Sequence, residues 1–267
     1  MTDHIKNEAE VEEDNMKVKK NKSKEESIIY IIGMGPGSQE MMTQQAKDAL
    51  EASDVIVGYT VYVDLLRASY PDKEFVTTPM RQEIERCRIC FSLAGEGKTV
   101  SMVCSGDAGI YGMAGLMYEI GEEYPEVAIE VIPGVTAALG GSAVLGAAVG
   151  HDVSLISLSD LLTPWELIEE RLRCAAKADF VICLYNPSSR KRSTYLAKAC
   201  EIMLEYKAED TVCGIVKNIA REGETMQTLT LKELKETTVD MFSTVFIGNK
   251  QTKVIREKMV TPRGYRI

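Results

Sequence analysis

From residue 28 onward the chain alternates short apolar runs with longer segments whose apolar positions recur at helical spacing, the pattern of an α/β protein. The runs predict strands at 28–33, 54–58, 99–105 and 127–132, and a second series at 153–158, 179–185, 211–216, 226–231 and 242–248. Between the two series, residues 131–150 carry no charge, a length sufficient to cross a bilayer. Pro133, five glycines and the break Gly140-Gly141-Ser142 predict a buried loop and helix there instead. Two α/β domains are therefore expected, residues 28–150 and 151–267. Thr163-Pro164-Trp165 predicts the start of the first helix of the second domain, with Thr163 as the cap and Pro164 in the first helical position. Residues 1–27 hold eight acidic and six basic side chains and predict a solvated, disordered tail.

A chain of 267 residues is long enough for two cores. Its net charge of −9 removes any long-range attraction to nucleic acid or to an anionic membrane, and neither is an expected partner. Seven cysteines lie mostly in apolar runs, and the first apolar run begins only at Ile28. Reduced core thiols and a cytoplasmic protein without a secretory leader are expected. Cys87 and Cys90 are spaced like metal ligands, but no second such pair exists and the histidines are only His4 and His151. Ile84, Cys87, Phe91 and Ala94 share one helical face, so these cysteines read as core and no protein-bound metal is expected.

Three glycine-bearing loops follow strands and lead into helices. The first, Gly33-Met34-Gly35-Pro36-Gly37-Ser38, lacks the sixth-position glycine of a dinucleotide fingerprint, and the second strand ends in Gly58-Tyr59 rather than in an acid. A nicotinamide cofactor is thereby disfavoured. The second loop, Ser105 to Gly112, offers close main-chain approach, the carboxylate of Asp107 and the ring of Tyr111. The third, Pro133-Gly134-Val135-Thr136-Ala137, has side chains small enough for a flat ring to lie against the backbone. In open α/β sheets ligands bind outside the carboxyl ends of strands, where all three loops fall. His151, at the junction of the two series, is a candidate proton carrier. Arg190, Arg192, Lys217 and Arg221 are candidate partners for substrate carboxylates.

These loops, in this order, resemble those of the tetrapyrrole methylases. The segments SGDAGIYGMAG (105–115), GHDVSLISLSDLLTPW (150–165), Tyr185-Asn186-Pro187, NIAREGE (218–224), VDMFSTVFIGN (239–249) and MVTPRGY (259–265) are similar to the branch that methylates C-17 of a corrin precursor. The resemblance implies a homodimer of two-domain protomers with S-adenosylmethionine in the cleft between the domains. It implies cofactor contacts at Pro36, Gly106, Asp107, Ile110, Tyr111, Thr136, Ala137, Asn186, Asn218 and Thr244. The reaction implied is methyl transfer with ring contraction on a tetrapyrrole, cobalt-free or cobalt-loaded, and His151 and Asp160 are the candidates for its proton movements. Methylation at another precorrin position is one alternative, and a non-catalytic tetrapyrrole carrier is another.

Overall fold

The computed structural model describes residues 27–266, so the expected tail lies, save for Ser27, outside the described residues. Strands β1 (Ile28–Gly33), β2 (Val55–Tyr59), β3 (Glu74–Thr78), β4 (Val100–Cys104) and β5 (Ala128–Ile132) form a parallel sheet in the order β3-β2-β4-β1-β5. The central strands are almost wholly apolar because both faces are covered. On one face lie α1 (Gln44–Ala52) and α2 (Thr60–Asp64), with Ala46, Leu50 and Val63 against Ile32, Ile56 and Val103. On the other lie α3 (Glu83–Gly95) and α4 (Ala114–Gly121), with Cys87, Cys90, Phe91 and Met117 against Ile29, Ile31 and Met102. Ile84 does not join them; it is exposed.

The second sheet combines β7 (Val153–Ser157), β8 (Val181–Tyr185), β9 (Val212–Lys217), β10 (Thr225–Thr230) and β11 (Ser243–Ile247) in the order β10-β9-β11-β8-β7. Only β7 and β8 run parallel; β11 is antiparallel to both its neighbours, and β10 is antiparallel to β9. Helices α6 (Trp165–Lys177), α7 (Tyr195–Leu204) and α8 (Leu231–Lys235) cover one face. The cap of α6 is Pro164 rather than Thr163. The other face receives α5 (Ala137–Leu145), whose Ala138 and Leu145 pack with Cys183, Val216 and Phe246. The uncharged stretch 131–150 is thus a strand end, a nine-residue helix and a short strand, and no described helix is long and apolar enough to cross a membrane.

A third, small sheet ties the connection between the two large ones. Its strands are β6 (Gly146–Ala147), β12 (Lys253–Ile255) and β13 (Lys258–Val260), in the order β12-β13-β6. Of the seven cysteines, which are all free, only Cys174 is exposed.

Candidate active site

In the first sheet the connection leaving β1 runs to β2, while the connection leaving β4 runs to β5 on the opposite side. The adjacent ends of β1 and β4 therefore form the topological switch point at which open α/β sheets hold their ligands. The loops after them are pinned to each other: Gly35 N–H donates to Gly106 O at 3.0 Å, and Gly106 N–H donates to Gly35 O at 2.8 Å. The loop after β5 enters the same knot. A Cβ on Gly33 would stand 2.7 Å from Gly134 N and 2.8 Å from Gly106 O, so only glycine lets three main chains meet there.

Asp107 fastens this knot. Its Oδ1 accepts from Gly109 N at 2.8 Å and Ile110 N at 3.0 Å, and its Oδ2 accepts from Gly134 N at 3.0 Å. The carboxylate shapes its own loop and holds the third loop to it. Gly112, one turn on, packs so closely on Ala108 that no side chain fits.

The ends of the second sheet meet the same loops. The Tyr111 hydroxyl donates to Leu155 O in β7 at 2.8 Å, and its ring lies 5.1 Å from that of Tyr185. Tyr185 ends β8; its hydroxyl pairs with that of Thr136 and accepts from Ala138 N at 2.9 Å. It thereby supplies the cap that α5 lacks from its own N-cap side chain. Burial, reinforced by the nearby Cys183, pushes the Tyr185 phenol up to about 12, so it stays neutral across the physiological range. We expect Tyr185→Phe to cost about 1–3 kcal/mol of unfolding free energy in urea titrations, because Ala138 N–H loses its acceptor. An unchanged midpoint would show that water serves as well.

Arg221, placed by its sequence context among substrate partners, reaches the first sheet. Its Nε donates to Pro36 O at 2.8 Å and an Nη to Ser105 Oγ at 3.0 Å. Gly37 is pressed against the same segment, where a Cβ would lie 2.6 Å from Ala220 O. Asn186 and Asn218, at the ends of β8 and β9, both take left-handed backbone angles, φ 52° and 53°. Asn186 Nδ2 donates to Ser157 Oγ at 2.9 Å, and Asn218 Nδ2 points to Glu222 O and Gly223 O. Thr244, buried in β11, pairs with Val216 and so lies by the end of β9. The ten expected cofactor contacts thus gather around one junction between the two sheets.

The remaining candidates sit differently. Asp160 accepts from the Tyr195 hydroxyl at 2.6 Å and from Arg192 Nη1 at 3.3 Å, and these bonds hold its carboxyl below the usual range. At neutral pH it is an anion organising Arg192, a weak proton acceptor. Lys217 is ion-paired to Asp240 at 2.7 Å, and Arg190 is exposed. His151 precedes the amino end of β7, four residues before Leu155, or about 13 Å of extended strand. Its Nδ1 accepts from Asp152 N at 2.8 Å, and the fold does not bring it to the loop junction. Sequence reasoning passed over Tyr185 in favour of Asn186, and over Ser105; the strand-terminal position of each was the available signal.

Two sheets meeting end to end over glycine loops form a junction suited to holding and positioning bound reactants. The chain belongs to the tetrapyrrole (corrin/porphyrin) methylases, whose family model matches residues 28–235. It is 46% identical over 239 residues to the probable cobalt-factor III C(17)-methyltransferase of Salmonella typhimurium, covering 89% of this chain and 99% of that one. It is 43% identical to the cobalt-factor III methyltransferase of Priestia megaterium over 89% of this chain, which spans 45% of that longer protein. The precorrin-3B C(17)-methyltransferase of Sinorhizobium is 36% identical, with 89% of this chain and 96% of that protein covered. Among solved structures, the methyltransferase CobJ superposes with a TM-score of 0.81 at 32% identity, over 88% of this chain and 99% of its own.

Proposed function

We propose that this protein transfers the methyl group of S-adenosylmethionine to C-17 of a corrin precursor, with ring contraction, and that the precursor is the cobalt-loaded cobalt-factor III. The observation that carries the reading is the junction of glycine loops at the β1/β4 switch point, in a chain similar over nearly its full described length to enzymes named for this step. The preference for cobalt rests on the higher identity to the relatives named for cobalt-factor III than to the one named for precorrin-3B.

The residues fit such a donor. Gly33 and Gly134 are filled in by the neighbouring main chains, but at Gly106 a Cβ would meet nothing nearer than 3.6 Å, which leaves room for a flat adenosine against that loop, with Pro36, Ile110, Tyr111, Thr136, Ala137, Asn186, Asn218 and Thr244 around the junction. When bound, the sulfonium supplies the methyl electrophile, and the electron-rich macrocycle carbon is the nucleophile. The protein's work is to align the two and to exclude water. Tyr111 and Tyr185 close the side toward β7 and β8, and Arg221 ties the ends of β1 and β4 to the 218–221 loop. Arg190, Arg192 and Lys217 remain our candidates for substrate carboxylates. Asp160 and His151 remain those for proton movement, with Asp160 the nearer to the strand ends. We also propose two functional units, residues 28–150 and 151–267, with α5 of the first docked on the sheet of the second. A cytoplasmic location accords with the buried free thiols, and a homodimer accords with the exposed apolar side chains of Met241, Phe242, Val254 and Ile255.

The test offers methyl-labelled S-adenosylmethionine with cobalt-free and cobalt-loaded substrate in parallel, with products read by mass spectrometry. One label per macrocycle, faster on the cobalt form, is expected. No label in either pigment would leave the carrier reading standing, and transfer to another ring carbon would move the protein to another step of the family.

A further inference from the structure

We propose that Arg86, acting with Arg221 across Tyr62, is the seat for a peripheral carboxylate of the tetrapyrrole substrate. The nature of the ligand rests on the methyltransferase reading; the observation does not. Arg86, in the first turns of α3, is 5% exposed. Its Nε donates to Thr78 Oγ1 at 2.8 Å and its Nη2 to Pro79 O at 3.1 Å, both neutral acceptors. Among the described residues no carboxylate forms an ion pair with it, and Nη1 has no acceptor. Nor do its neighbours carry a compensating charge. Burial raises the thiols of Cys87 to about 12 and of Cys104 to about 11, and raises that of Cys90 well above its ordinary value, so all three stay protonated at neutral pH. Glu83, one turn earlier on the same helix, receives Arg81 N–H instead.

A guanidinium this buried with no anion beside it is costly to hold, and a ligand carboxylate that reaches its remaining N–H groups would offset that cost. The Nη1 end of Arg86 is the part of the guanidinium left for such a ligand. The one side-chain nitrogen or oxygen both fully buried and unpartnered among the described residues is Arg192 Nε, so the unpartnered Nη1 of Arg86 keeps contact with solvent.

Its position fits the substrate side of the junction. Thr78 and Pro79 mark the carboxyl end of β3, Tyr59 and Tyr62 stand edge to face at the end of β2, and Arg221 is fixed at the ends of β4 and β1. These four strands are successive neighbours about 4.8 Å apart, so the two arginines flank Tyr62 along the edge that carries the glycine loops. Burial raises the Tyr62 phenol, and both arginines pull against that rise. Corrin precursors carry acetate and propionate arms around the ring, and a planar guanidinium with free N–H groups is the donor that grips a carboxylate in a fixed orientation.

The test compares wild type with Arg86→Met and Arg86→Lys. In Arg86→Met we expect the affinity for S-adenosylhomocysteine, by calorimetry, to hold and the thermal midpoint to stay or rise. KM for the tetrapyrrole should rise about tenfold or more while kcat changes far less, the loss expected for one charged hydrogen bond. Arg86→Lys should fall between, since it keeps the charge but not the fork; because it retains the buried cation, it carries the test if the methionine variant does not accumulate. Uroporphyrin, followed by fluorescence, is the probe without turnover. Wild type should bind it more tightly than its octamethyl ester, and the variants should narrow that difference. Unchanged KM and unchanged probe binding in folded variants would overturn the proposal and leave Arg86 a structural cation. Failure of wild type to bind S-adenosylhomocysteine, with probe discrimination intact, would instead strike the methyltransferase reading.

Discussion

Gly134→Ala is expected to lower the unfolding free energy by about 3 kcal/mol and to abolish tight binding of the methyl donor. The added Cβ would collide with the carbonyl oxygens of Gly106 and Gly33 and stand 2.5 Å from the Gly33 carbonyl carbon. Those atoms belong to main chains already fixed by the paired hydrogen bonds of Gly35 and Gly106, so none can yield without opening the knot. Gly115→Ala is the control. It lies within α4 with nothing within 4 Å of its Cβ, and alanine there should be neutral or stabilising by up to about 1 kcal/mol. Urea unfolding and calorimetric titration with S-adenosylhomocysteine measure both effects. A Gly134→Ala protein as stable as wild type would show that the three loops are not rigidly joined.

Asp107→Ala is expected to weaken donor binding by about ten- to a hundredfold and to cost about 2–3 kcal/mol in the ligand-free protein. Three backbone amides lose their acceptor at once, and one of them, Gly134 N–H, belongs to the neighbouring loop. Asparagine is not a rescue, because its amide nitrogen would face a backbone N–H. If Asp107 acted only as a contact to the donor, both variants would lose affinity while keeping the wild-type unfolding midpoint. That result would refute the stapling role.

The pattern of apolar runs foretold nine strands to within two residues, because six of them are central to their sheets and read as continuous apolar stretches. It passed over β3, whose sequence EFVTT is a half-exposed edge with its apolar positions diluted by Glu74 and two threonines. The short strands β6, β12 and β13 are below the length at which periodicity carries a signal. Strand direction was equally illegible: nothing in the run at 242–248 announces that β11 is antiparallel to β8. At the site, the three loops were visible as glycine clusters after strands. That Gly33, Gly106 and Gly134 share one point, and that Asp107 spends both oxygens on main chain, are facts of tertiary contact between distant segments. Arg221 and Arg86 were illegible for the same reason, since a basic side chain in sequence does not reveal whether its partner is solvent, backbone or an absent anion.

The small third sheet bears on how the molecule is made. Gly146 and Ala147 find their partners only in Met259 and Val260, and the residue after these, Thr261, donates its N–H to Ala147 O at 3.0 Å and its hydroxyl to Ala148 O at 2.6 Å. All strands of the first sheet have been synthesised by Ile132, and all of the second by Ile247. The joint between them is sealed by residues that follow all ten of those strands in the sequence, so each large sheet can complete its own pairing before their relative setting is fixed. A chain cut short just ahead of β13 would retain every strand of both large sheets and lack their latch.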